Sequence, residues 1–168
     1  ILKLINERAH LAIAAGEAKG EAIKYKPGRE ASIYNRLKGI NAGPITSEQI
    51  VSIYKEVISS CRSTEANFKV AFLGPEGTYS ESALSSQFGQ SVEKLSQATI
   101  ESVFKSVESN QSNFGIVPIE NSTEGAVNIT LDCLAKSNLM ICGEVEMKIH
   151  HNLLGYNNNC LPPVGLQN

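Results

Sequence analysis

Residues 69–80, "KVAFLGPEGTYS", mark the point at which the hydrophobic period of this chain changes. Lys69 to Gly74 is a short apolar run closed by a glycine. Pro75, Glu76 and Gly77 supply turn chemistry, and Thr78, Tyr79 and Ser80 place hydroxyls where a helix would begin. The order is strand, glycine-rich turn, helix start. Backbone N–H groups at such a start favour anions. Taken alone the turn is ordinary: its glycines lack the spacing of the dinucleotide fingerprint, and helix capping explains Thr78 and Ser80 as well as ligand binding does.

Upstream the pattern is helical. Leu2, Ile5, Ala9, Ala12, Ile13 and Gly16 recur at three-to-four spacing, predicting a helix to about Ile23, with a break at Pro27. Ile33, Leu37 and Ile40 predict a second helix, stopped by "NAGP" at 41–44. A third starts at Thr46, with Gln49 in capping-box spacing, and carries an apolar stripe of Ile50, Ile53, Tyr54, Val57, Ile58 and Cys61. Helices in so short a segment make a thin core, which leads us to expect a helical homodimer.

Downstream, strands alternate with helices. "SALSSQFG" (82–89) is weakly helical and "SVEKLS" (91–96) reads as a strand. Thr99 caps a helix bearing Ile100, Val103, Phe104 and Val107. "FGIVPI" (114–119) is a further strand, Val127, Leu131 and Leu134 mark a helix, and "LMICGEVEMKI" (139–149) is expected to be strand-rich. This alternation predicts α/β layers around a mainly parallel sheet. The period switch divides the chain into an all-α domain at 1–66 and an α/β domain at 67–168.

Composition narrows the function classes. The 168 residues are 42% hydrophobic and 19% charged, with a net charge of -2 and both signs interspersed, so no nucleic-acid footprint is present. No apolar run approaches a membrane span, and no leader pattern stands at the start. Cys61, Cys133, Cys142 and Cys160 lie far apart without metal spacing, which predicts free thiols in a reducing, cytoplasmic setting. The chain opens on Ile1 already inside a helical pattern and closes on an aperiodic tail, so a piece of a longer protein is expected.

The helical part holds cations but no nucleophile–base pair. Arg8 and Lys19 are about three helical turns apart, on one side of the helix and roughly 16 Å apart along its axis. That spacing suits either a solvated basic face or two cations reaching toward one anion. Arg29 and Glu30 open the second helix, where a glutamate is ordinary dipole matching. Cys61 and Glu65 share a face of the third. In the α/β part, the polar cluster Glu120, Asn121, Ser122 and Thr123 follows a strand and is expected at the same sheet edge as the 74–80 turn, a placement that favours a ligand site.

Read together, "INERAHLAIAAGEAKGE" (5–21) and "YKPGREASIYNRL" (25–37) resemble the all-helical chorismate mutase domain. "GPEGTYS" (74–80), "VPIENSTEGAV" (117–127) and "ICGEVEMKIHHNLL" (141–154) resemble prephenate dehydratase, so the chain from Ile1 to about Tyr156 resembles the bifunctional chorismate mutase–prephenate dehydratase family. The resemblance implies a dimeric helical bundle followed by one lobe of a periplasmic-binding-protein-like fold. It implies two substrates of phenylalanine biosynthesis, chorismate and prephenate, and no metal or cofactor. In the first reaction, a Claisen rearrangement, conformer selection and electrostatics suffice. Arg8 would bind a substrate carboxylate, Lys19 would donate to the ether oxygen, Arg29 and Glu30 would form the family's Arg-Glu pair, and Glu30 would accept from the substrate hydroxyl. Lys26 stands where some relatives have aspartate, and Cys61 where serine is frequent. Glu65 would have to be protonated to face a dianion and donate to the ether, so mutase activity is expected to fall as pH rises, and Glu65→Gln to flatten that fall.

For the second reaction, Gly77, Thr78, Ser80, Glu120, Asn121, Ser122 and Thr123 would line one side of the prephenate cleft, with His150 and His151 as structural residues near the crossing to the second lobe. The family's Thr-Arg-Phe motif and an arginine early in the first helix are not among these residues. The 168 residues alone are therefore expected to be weak in the first reaction and inactive in the second. The competing reading is a non-catalytic dimeric sensor of carboxylate ligands.

Overall fold

A computed structural model of the chain describes residues 1–19, 27–64, 68–122 and 125–149. The helical part contains α1 (Leu2–Lys19), α2 (Pro27–Ile40) and α3 (Ser47–Ser63), with α1 and α2 each packing against α3. Alanines at 9, 12, 14, 15 and 18 give α1 high helix propensity. Ile5, Ala9, Ala12 and Ile13 are half-buried and Gly16 is buried, as their spacing predicts, but Leu2 is exposed because it sits at the helix end beyond the reach of α3. The predicted extension of α1 to Ile23 lies outside the described residues.

Pro27 opens α2 rather than standing in a gap before it. Its fixed φ and missing N–H suit a first helical position. After Ile40 an Asn41 turn closes the loop: Gly43 N donates to Asn41 Oδ1 at 3.3 Å and Asn41 Nδ2 donates to Ile45 O at 2.8 Å. The capping box on α3 forms as expected, with Gln49 N donating to Thr46 Oγ1 at 3.2 Å and Thr46 N to Gln49 Oε1 at 2.9 Å. The predicted stripe on α3 is most covered at its C-terminal end: Ile58 and Cys61 are buried, Ile50 and Val57 are half-buried, and Ile53 and Tyr54 are exposed.

The α/β part is a parallel sheet of β1 (Lys69–Leu73), β2 (Glu93–Gln97) and β3 (Phe114–Ile116) in the order β2-β1-β3. α4 (Tyr79–Phe88) and α5 (Ile100–Glu108) both pack on β1, so Val70, Ala71 and Phe72 are all fully enclosed, as a central parallel strand requires. Phe68, Phe88 and Phe114 meet at ring centroids 5.7–5.8 Å apart, closing one face of this core with Val70, Phe72, Leu84 and Val92. Gly115 lets α5 approach β3: a Cβ there would lie 2.7 Å from Val103 Cγ1.

Two segments depart from the expectation. The polar cluster after β3 does not run straight into a helix. Glu120–Asn121 (β4) pairs antiparallel with Gly125–Ala126 (β5), and α6 (Asn128–Lys136) begins after that hairpin. α6 buries Thr130 and leaves Leu131 exposed, because its anchoring contact is a polar one to the chain beneath. Residues 139–149 form no strand. Among the described residues no strand pairs with them, Met140 is 84% exposed, and an unpaired extended segment has no ladder to define it.

Candidate active sites

The candidate residues of the helical part lie on α1, α2 and α3, with α1 and α2 each packed against α3. Arg8 lies half-buried on α1, with its Nη1 enclosed and without a hydrogen-bond partner among the described residues. Glu30, in the first turn of α2, does not point to water as dipole matching alone would have it. Its Oε1 accepts from Arg62 Nη2, and its Oε2 accepts from the Tyr34 hydroxyl at 3.3 Å. The side chains of Arg62 and Glu30 are only 8% and 14% exposed. Cys61, beside Arg62 on α3, is buried and is a free thiol. Arg29, next to Glu30 in the first turn of α2, is exposed. Lys19 ends α1, and its side chain, with Lys26 and Glu65, lies outside the described residues.

Arg62 is the residue that sequence patterning missed. One position after Cys61, it is turned about 100° from the apolar stripe, where a polar residue reads as solvent-facing or as a cation near a helix C-terminus. Instead its guanidinium lies 5.1 Å from the Phe68 ring centroid and is tied to Glu30.

The second region forms at the C-terminal edge of the sheet. β1 and β3 are paired in parallel with Phe72 opposite Ile116, so the 74–78 turn and the chain after Ile116 leave the same edge side by side. Gly77 takes φ +80°, a conformation that favours glycine, and its N–H donates to Glu81 Oε2 at 2.7 Å. That bond, followed by the Lys94 ammonium on Glu81 Oε1 at 3.0 Å, holds the Glu81 carboxyl below its ordinary range. Thr78 stands at the helix N-cap, yet its hydroxyl makes no cap bond. It donates to Leu73 O at 3.3 Å, tying the turn back to the strand end. Ser80 is half-buried in the first turn of α4.

Glu120 and Ser122 are exposed and Asn121 is half-buried on the hairpin arm; Thr123 lies outside the described residues, as do His150 and His151. Two bonds fix the hairpin base: Val127 N donates to Ile119 O at 2.9 Å, and the fully buried Thr130 hydroxyl donates to Pro118 O at 2.7 Å. Thr130 looks like any helical threonine in the sequence, and only the fold shows it beneath the loop.

A groove of about 550 Å³ between α3 and α4 contains Lys55, Glu56, Ser86, Gln90 and Lys94. It is a docking seam, since Lys55 Nζ donates to Ser86 O at 2.6 Å and Gln90 N to Glu56 Oε2 at 3.1 Å across it. Among the described residues no group of His, Cys, Asp and Glu has the arrangement of a metal site, and no helix is long and apolar enough to cross a membrane.

Comparison with known proteins places these two regions in context. Residues 1–66 match the chorismate mutase type II family, and residues 70–164 match the prephenate dehydratase family. The bifunctional chorismate mutase/prephenate dehydratase of Neisseria gonorrhoeae is 44% identical over 158 residues, which are 94% of this chain and 44% of that protein. The enzyme of the same name from Stutzerimonas stutzeri is 45% identical over 161 residues, and that from Aquifex aeolicus 41% over 160; each alignment covers 92% of this chain and 44% of the relative. The chain thus spans less than half the length of these relatives. No solved structure matches it. The helical segment at residues 1–66 matches the type II chorismate mutase family, and with residues 70–164, more than half of the chain, matching its family model, the chain belongs to the prephenate dehydratase family.

Proposed function

We propose that this chain supplies the chorismate mutase region and one wall of the prephenate dehydratase cleft of a bifunctional enzyme of phenylalanine biosynthesis, the two regions dividing near residue 66. The observation that carries the reading is the match of both families, in order, along one chain whose relatives are bifunctional. The enclosed Nη1 of the half-buried Arg8 supports it chemically, since a donor without a hydrogen-bond partner among the described residues suits a carboxylate ligand.

In the first reaction chorismate is held in its compact conformer. Arg8 takes a substrate carboxylate, Lys19 and protonated Glu65 face the ether oxygen, Glu30 accepts from the substrate hydroxyl, and Arg29, Lys26 and Cys61 rim the pocket. Fixed charges aimed at the breaking bond stabilise the transition state without a covalent step. In the second, Gly77, Thr78 and Ser80 from the β1 turn and Glu120, Asn121, Ser122 and Thr123 from the hairpin hold prephenate, which loses carbon dioxide and water to give phenylpyruvate.

The helical region works as a homodimer. Leu4 and Leu11 lie one above the other on the outer face of α1, both exposed, and a second copy would cover them. Free thiols at Cys61, Cys133 and Cys142 suit the cytoplasm.

The test is to follow loss of chorismate absorbance and appearance of phenylpyruvate, in this chain and in a form extended at both ends along its coding sequence. The extended form should turn over both substrates. Tight binding of dicarboxylates without turnover would instead favour a sensor.

A further inference from the structure

We infer that Arg62 is the positioning residue of the mutase site, holding the Glu30 carboxylate ionised and aimed. The inference rests on the mutase reading above and adds a residue which that reading does not contain.

A carboxylate that must accept a substrate hydroxyl has to be charged and fixed in direction. Glu30 is mostly withdrawn from water, and burial by itself drives a carboxyl toward its neutral form. Arg62 opposes this directly by donating to Oε1, while Tyr34 donates to Oε2. An ionised carboxylate has about four acceptor positions, so these two bonds fix its plane and leave room for a third donor.

The guanidinium is itself held. It is buried on the last turn of α3 and lies against the Phe68 ring, which is locked in the aromatic group of the α/β core. Among the described residues, Arg62 is the cation that pairs with Glu30. On α3, Lys55 donates to Ser86 O on α4 and Glu56 accepts from Gln90 N just after it; on α2, Arg29 is exposed; α1, packed on the same α3, contributes Arg8 as its half-buried cation. Arg62 is therefore the cation that α3 turns toward Glu30.

The experiment compares Arg62→Leu, Arg62→Gln and Arg62→Lys with the parent in the extended chain. Chorismate turnover is followed from about pH 5 to about pH 9, with helix content measured for each protein. Loss of the paired cation should move the acid limb of kcat/KM upward by about one to three pH units in the Leu and Gln variants. The Lys variant should restore most of that shift, because it keeps the charge while losing the planar stack. In a Glu30→Gln background the Arg62 substitutions should leave the acid limb where it is. Arg62→Gln keeps a hydrogen-bond donor and carries the test if the Leu variant fails to fold. Turnover with an acid limb that stays in place in a folded Arg62→Gln protein overturns the inference alone. A parent without chorismate turnover overturns the mutase reading and the inference with it.

Discussion

Arg8 and Glu81 are charged side chains with opposite surroundings. An enclosed donor without a partner costs about 1–3 kcal/mol of stability, and among the described residues Arg8 Nη1 is such a donor. Arg8→Met, which keeps length and apolar contact, should melt at or above the parent temperature while kcat/KM for chorismate falls about ten- to a hundredfold, the worth of one charge-assisted hydrogen bond. Thermal melts beside chorismate kinetics check this, and a clear loss of stability with normal kinetics would show Arg8 to be structural. Glu81 is the opposite case. Its carboxyl is lowered first by the Gly77 N–H and then by Lys94, so the folded state prefers the ionised form. The stability this contributes is present above the ordinary glutamate pKa and is lost as pH falls from there through the lowered folded value. Glu81→Gln should therefore remove part of the acid-side decline in melting temperature without changing the alkaline side. Melts across the acid range decide it, and a variant whose decline matches the parent's would mean that the Gly77 turn does not depend on this charge.

At the scale of elements, legibility followed local chemistry. The α3 start was readable because Thr46 and Gln49 satisfy each other's backbone donors within one turn, and the α5 start because Thr99 caps it one way, accepting from Ser102 N at 3.2 Å. Thr46→Ala should cost about 1 kcal/mol of stability, measurable by urea denaturation, whereas Ser52→Ala on the exposed face of α3 should be nearly neutral. Parallel strands flanked by helices were readable from the change of period at Lys69. What was not readable depends on partners distant in sequence. Val145 and Met147 are half-buried and Glu144, Glu146 and Lys148 exposed, so residues 139–149 carry the alternation of a strand without a neighbouring strand to pair with among the described residues. The hairpin at Glu120 is fixed by Thr130, further along the chain on α6, and Glu30 is fixed by Arg62 across two helices. The residue types at the candidate sites were legible; the groups that aim them were not, because aiming is done by contacts that no local period encodes.

For the whole molecule the question is what joins the helical region to the sheet. α3 is the bridge. Along its length Lys55, Glu56 and Ser60 bond to Ser86, Gln90 and Ser91, and its last turn meets the core through Arg62 and Phe68. These polar bonds are largely exposed, so they set register more than they supply affinity. The closest approach is steric: Gly89, at φ +84°, leaves no room for a Cβ, which would lie 2.5 Å from Ser59 Cβ. Gly89→Ala should therefore destabilise the chain by about 1–3 kcal/mol from backbone strain, plus the clash with α3. Ser59→Gly removes the atom that the added methyl group would strike, at a cost of its own of about 0.5 kcal/mol for glycine within a helix. If α3 is docked on α4 as described, the double variant should be more stable than the sum of the two changes by at least about 0.5 kcal/mol, because the clash is present only when both Cβ atoms are. Urea titration of the four proteins in this cycle measures that coupling. Strict additivity would mean that Ser59 and Gly89 are not in contact, leaving the polar bonds along α3 and the Arg62–Phe68 stack to join the helical region to the sheet.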